Sequence, residues 1–224
     1  MVSETVVGRR ALALAFFLAG STALAGDIQG RVVVRSSDGS TEALTQPVVV
    51  YLTGFKQPPP PDSPVISQKD KTFVPDLRVV VAGQSVRFTN DDPVVHNVFS
   101  TSVAREFDLG QPGPQQTRSV TFPTPGLVDI FCNIHEAMFA HVLVLPNRAF
   151  AVVDGEGRFQ IHDVPPGRHP LHAWGRGIEP FEQEVVVTAD QPLVLELPLR
   201  PRLFNPTHLD KFGRSYRKRP GYSP

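Results

Sequence analysis

The sequence predicts an all-β protein built as two successive β-sandwich modules. Three observations carry that expectation. Short runs rich in Val, Ile, Leu and Phe recur along the chain, 23 Pro and 17 Gly separate them, and no stretch holds a helical period between caps. In the first module, residues 26–146, the predicted strands are Ile28–Val34, Val48–Leu52, Leu77–Val81, Ser85–Thr89, Asn97–Ser100, Ser119–Phe122, Gly126–Phe131 and His141–Leu145. Between the second and third of these, Pro58-Pro59-Pro60-Pro61 with Pro64 reads as a stiff, extended surface connection. Pro146-Asn147 breaks the pattern, and residues 147–200 read as a smaller second module. Its predicted strands are Ala149–Val153, Arg158–Ile161, His169–Trp174, Glu182–Val187 and Leu193–Leu199, with a strong turn signal at Asp154-Gly155-Glu156-Gly157. A unit of that size is marginally stable alone, so it is expected to pack against the first.

The two ends of the chain read differently from the body. Arg9-Arg10, the apolar run Ala11–Ala19 and Ala23-Leu24-Ala25 stand in the order of an export signal cleaved after Ala25. The apolar run is too short for a membrane span, and no later segment approaches one, so the mature chain is expected in the periplasm without an integral membrane segment. The paired arginines leave ordinary and twin-arginine export both open. The net charge of zero conceals an asymmetry: residues 26–200 carry 14 basic and 20 acidic side chains, while residues 201–224 carry six basic and one acidic. That tail, with Lys211, Arg214, Arg217, Lys218 and Arg219, reads as a flexible, solvated segment or as an electrostatic contact for an acidic partner. It offers no fold of a nucleic-acid reader, so no nucleic-acid partner is expected.

Cys132-Asn133-Ile134-His135-Glu136-Ala137-Met138 places the chain's one cysteine three residues before a histidine and six before a methionine. Thiolate, imidazole and thioether are the soft and borderline ligands that favour copper over magnesium, calcium or manganese. His96, in Asn90-Asp91-Asp92-Pro93-Val94-Val95-His96-Asn97, is a candidate second imidazole. Two His and one Cys with a weak axial Met define a mononuclear electron-transfer copper site. Other readings of the same residues stand beside this one. A buried cysteine can be a small core hydrophobe, and a Cys–His pair can be a nucleophile and its base, although that use leaves Met138 idle. A structural zinc site would need more cysteine or histidine in paired spacings, and a c-type haem would need C-x-x-C-H. One cysteine also excludes an internal disulfide framework. His162, His169 and His172 have no ligand-like companions, and His141 reads as a strand residue or as an extra ligand.

On these residues, the first module resembles the cupredoxins, the blue-copper proteins. The spacing Cys132–His135–Met138 is similar to the ligand loop of amicyanin-type members, as are Val86–Asp92 with His96–Phe99 and the strand Gly126–Cys132. The resemblance implies a Greek-key sandwich with one mononuclear Cu(I)/Cu(II) ion at one end. It implies His96, Cys132, His135 and Met138 as its ligands, with Asn97 cross-linking the two ligand segments by hydrogen bonds. The second module is similar to carboxypeptidase regulatory-like or transthyretin-like β-sandwiches through Asp154–Phe159 and Val164-Pro165-Pro166-Gly167. The whole resembles periplasmic proteins of the methylamine-utilisation type.

The expected function is single-electron transport between redox protein partners, with electrons crossing at His135 among Pro93, Ala137 and Phe139. Copper delivery without a redox partner is the alternative, as is an adhesion or carbohydrate-binding module with a degenerate site. An enzyme is not expected, because four protein ligands leave no open position at the metal.

Overall fold

A computed structural model describes residues 25–189, 192–204 and 208–216. The expected export signal and Arg217, Lys218 and Arg219 lie outside the described residues, apart from Ala25. Every regular element of more than one residue among the described residues is a strand. In chain order they are β1 (Gly26–Arg35), β2 (Thr41–Glu42), β3 (Val48–Leu52), β4 (Val65–Lys69), β5 (Thr72–Val74), β6 (Leu77–Val81), β7 (Ser85–Asn90), β8 (Phe99–Ser102), β9 (Arg105–Asp108), β10 (Thr117–Thr121), β11 (Gly126–Phe131), β12 (Phe139–Leu145), β13 (Phe150–Val152), β14 (Arg158–Val164), β15 (Gly167–Gly175), β16 (Phe181–Val187) and β17 (Leu193–Leu199). The protein is thus all-β, with its strands distributed over four sheets. No helix among the described residues is long and apolar enough to cross a membrane.

Two of the sheets, β10-β7-β4-β5 and β6-β12-β11-β8-β9, enclose one core. Ile66, Phe73, Val86, Phe88 and Val120 face Val80, Val128, Ile130, Ala140, Val142 and Val144 across it. The other two, β14-β1-β17 with β2 on its edge and β13-β3-β15-β16, enclose a second core of Ile28, Val32, Val48, Val50, Leu52, Ile161, Leu171 and Leu197. Where the sandwiches meet, Val49 and Tyr51 of β3 and Trp174 of β15 pack with Leu143 and Leu145 of β12 and with Leu77, Val79 and Leu127. This explains why β3 and β12 read as unbroken apolar runs. Each is buried on both faces, so period-two alternation disappears.

Strand pairing divides the chain differently from the serial expectation. β1, β2 and β3 do not join the strands between Val65 and Leu145; β1 pairs antiparallel with β14 and parallel with β17, and β3 lies between β13 and β15. The second sandwich is therefore discontinuous, made of residues before Thr53 and after Asn147, and the first module does not begin at residue 26. The physical reason is that β1 has an inward row, Ile28, Val32 and Val34, satisfied by partners distant in sequence. Periodicity identifies such a row without naming its partner. Buried Asn147 fastens the two crossings together: its Nδ2 donates to the carbonyls of Leu52 (3.1 Å) and Phe55 (3.0 Å), and its Oδ1 accepts from Ala149 N (2.9 Å).

The turn expected at Asp154–Gly157 forms as written. Asp154 Oδ1 accepts from the amides of Glu156 and Arg158, and Gly157 takes φ +84° where a Cβ would lie 2.7 Å from Val32 O. The expectation of a flexible tail fails over its described part. Residues 208–216 lie on the end of the first sandwich, with Tyr216 fully buried. Its ring has a large apolar area to hide and its hydroxyl has a buried partner, which charge counting does not register.

Candidate metal centre

Strand parity delivers two of the candidate ligands. Val128 and Ile130 point inward from β11, and Cys132 is the next residue of that phase; Ala140, Val142 and Val144 point inward from β12, and Met138 is the residue before them in phase. Cys132 N donates to Met138 O at 3.1 Å, extending the β11–β12 ladder by one step beyond Phe131 and Phe139. Both side chains are fully buried in the first core. The five residues between them form a tight loop closed by Met138 N to His135 O, 3.1 Å.

His96, Cys132 and His135 converge, with one ligand atom from each lying within 4.8 Å of the others. His96 Nδ1 is 3.1 Å from His135 Nδ1, and Cys132 Sγ is 3.8 Å from His135 Nδ1. Bonds of about 2.0 Å to nitrogen and about 2.3 Å to sulfur allow separations up to roughly 4 Å between two nitrogens and slightly more between sulfur and nitrogen, so His135 Nδ1 can share an ion with His96 Nδ1 and with Cys132 Sγ. The donor set is two imidazoles and a sulfur in a buried site with a thioether in the same core, which fits copper. Ile134 N donates to Cys132 Sγ at 3.3 Å, a contact that favours the thiolate.

The histidines are presented through Nδ1 because the other nitrogen of His96 is already engaged. His96, wholly buried, holds its Nε2 2.6 Å from Asp92 Oδ2. Asp92 also accepts from the amides of Asp70 (2.6 Å) and Lys71 (2.9 Å), two residues at positive φ in the tight turn between β4 and β5. Burial works against the Asp92 carboxylate, but the Lys71 amide, the His96 ring and the Asp70 amide outweigh it and hold its pKa below the usual value. A charged carboxylate fixes the His96 tautomer with Nε2 protonated, leaving Nδ1 as the lone-pair donor. At His135, burial together with the neighbouring charges of His96 and Lys71, only partly offset by Asp92, lowers the pKa and favours the neutral ring that a metal requires. Asp92 was not among the residues singled out from sequence. The only available signal was an acidic residue one turn's length before a candidate ligand.

Asp92→Asn keeps the shape and removes the charge that orients His96. Copper affinity is expected to fall about 10- to 100-fold, the usual cost of losing such an outer partner, as measured by competition with a chelator. An unchanged affinity would show that the carboxylate does not set the ring.

Asn97 is placed otherwise than the resemblance implied. Its Nδ2 donates to Asp108 Oδ1 (2.7 Å) and Gly110 O (2.5 Å), not to the Cys132 loop, and its buried Oδ1 has no hydrogen-bond partner among the described residues. The side chain reaches along its own side of the sheet, where Asp108 offers a charged acceptor. His141 resolves as a strand residue: its Nδ1 meets Asp129 Oδ1 at 2.8 Å, and its ring packs on Phe139, Trp174 and Phe204 on the face turned away from the first core. His162 bonds to Asp27, His169 to Pro165 O and His172 to Thr53, all in the second sandwich.

No family model matches the chain, and no curated protein matches it. Its structural neighbours are cupredoxins. A purple cupredoxin from Nitrosopumilus maritimus is 21% identical over 37% of this chain and all of its own, with a TM-score of 0.34. A reduced variant of amicyanin is 19% identical over 43% of this chain and 98% of its own, with a TM-score of 0.36. A copper-containing nitrite reductase from Thermus scotoductus is 20% identical over 46% of this chain but only 25% of its own, with a TM-score of 0.36.

Proposed function

We propose that the chain is an exported, periplasmic type 1 copper protein that carries single electrons between redox partners. The observation that carries this reading is the convergence of His96 Nδ1, His135 Nδ1 and Cys132 Sγ at the end of a rigid sandwich, with Met138 in the same core. Copper held there supplies one-electron chemistry between Cu(I) and Cu(II). The chain's part is to keep one ligand arrangement for both states. Cys132 and Met138 are fixed by adjacent strands, and His96 is fixed by Asp92, so little has to move when the charge changes. The site is read as non-catalytic, since four protein side chains fill it. Export rests on the N-terminal sequence pattern alone.

His135 is the half-buried member of the set, and its Nδ1 faces inward, so its outer edge is the route for electrons. Pro93, Val94 and Val95, leading into His96, and Ala137, beside the loop turn, are exposed. Phe139 does not belong to this face, because the Arg176 guanidinium covers its ring at 4.6 Å. A small, largely apolar surface with the Lys71 charge nearby suits brief encounters between redox proteins.

The deciding experiment is copper loading followed by optical and electron-paramagnetic spectra. An intense thiolate-to-copper band that bleaches and returns on one-electron reduction and oxidation is the expected result. A colourless complex with Cu(I) only would favour copper delivery, and failure to take up copper would end the reading.

A further inference from the structure

We infer that the C-terminal segment 208–216 is a clasp that positions the copper-ligating loop, with Tyr216 as the residue that fixes Cys132 from outside; the inference rests on the copper reading above. Five contacts carry it. Tyr216 OH, fully buried, donates to the carbonyl of Cys132 at 2.6 Å. His208 Nε2 lies 2.9 Å from Glu136 O, and its ring stacks on Phe131 with centroids 4.0 Å apart. Lys211 N donates to Asn133 Oδ1 at 3.0 Å. Lys211 Nζ pairs with Asp108 Oδ2 at 2.5 Å, while Asp108 Oδ1 accepts from Asn97, the residue after His96.

These contacts address the residues on either side of the ligands and spare the ligand atoms themselves. Phe131, Cys132 O, Asn133 and Glu136 O bracket Cys132 and His135, and Asp108 with Asn97 connects the same segment to His96. The cross-link between the two ligand segments that the sequence suggested through Asn97 alone is therefore completed by the tail. The segment is itself stiff: Asp210 Oδ1 accepts from the amides of Phe212 and Arg214, and Gly213 N returns to Asp210 O. His208 and Tyr216 meet edge to face, so the two ends of the clasp support one another. A loop held this way is organised before the metal arrives, which slows metal release and narrows the range of copper–sulfur geometries.

The test uses the full-length mature protein. Tyr216→Phe keeps the ring and removes the hydrogen bond to Cys132 O; Asn133→Ala removes the acceptor for Lys211 N. Both variants are expected to bind copper through Cys132, to release it to a chelator about fivefold faster, the scale of one lost buried hydrogen bond, and to show a shifted or broadened thiolate band. Lys211→Ala leaves the backbone donor in place, so its release rate should change less than that of Asn133→Ala. If Tyr216→Phe and Asn133→Ala both retain the parent release rate and spectrum, the clasp is overturned while the copper site stands. If the parent protein takes up no copper, the functional reading itself fails. Should Tyr216→Phe not fold, Asn133→Ala alone decides, because it leaves the buried Tyr216 ring in place.

Discussion

Replacing Cys132 by Ser is expected to abolish the visible absorption of the copper-loaded protein. The band arises from the bond between copper and the thiolate, and a hydroxyl at the same position is a harder, more weakly donating ligand that does not ionise near neutral pH. The substitution is small enough for the fold: the side chain is buried beside Ile130 and Met138, and its backbone bonds to Met138 and Tyr216 persist. Some copper is expected to remain on His96 and His135, so metal content should drop only partly while colour vanishes. Absorbance near the thiolate band, set against metal content on the same sample, separates the two. A variant that keeps the parent spectrum would remove Cys132 from the site and with it the electron-transfer reading.

Ending the chain at Pro146 is expected to do more harm than losing a peripheral module. The cut deletes β13 to β17 and strips the partners from β1 and β3. Ile28, Val32, Val48, Val50 and Leu52 would lose their core, each worth about 1.5–3 kcal/mol when buried. Leu143 and Leu145 would lose the cover of Trp174 and Phe150, and the clasp over the ligand loop would go as well. The expected product is aggregation-prone and protease-sensitive, with copper bound weakly if at all. A truncated chain that melts cooperatively at the temperature of the full protein would show that the strands preceding Thr53 do not depend on those following Asn147.

The sequence made the candidate ligands legible because their chemistry is rare and their spacing is local. One cysteine, with His135 and Met138 within six residues, lies on a single turn between strands, and parity alone aims Cys132 and Met138 inward. Strands with apolar rows were also readable: Val48–Leu52, Leu77–Val81, Gly126–Phe131 and Leu193–Leu199 have the bounds expected. β4 was not, because Val65–Lys69 is half polar and its buried Gln68 is held by a bond from Nε2 to Thr89 O, which no hydropathy pattern announces. β9, Arg105–Asp108, is a charged outer strand of its sheet and looks like loop. The contacts of Asp92, Lys211 and Tyr216 with the site escaped for a different reason. Their importance comes from long-range partners, and aspartate, lysine and tyrosine carry no signature of what they will touch.

The junction at Asn147 has a consequence in time. β3 and β13 are antiparallel neighbours, so for the outer sandwich everything between them is a single enormous hairpin loop. The sandwich that carries the candidate ligands occupies that loop as an uninterrupted stretch whose last strand ends at Leu145. It can close as soon as those residues have emerged, whereas β1 must wait for Leu193–Leu199 before its parallel pairing exists. Residues 208–216 come later still. The guest is thus complete before its host, and the fastening over Cys132 can form only after both sandwiches have had the opportunity to form.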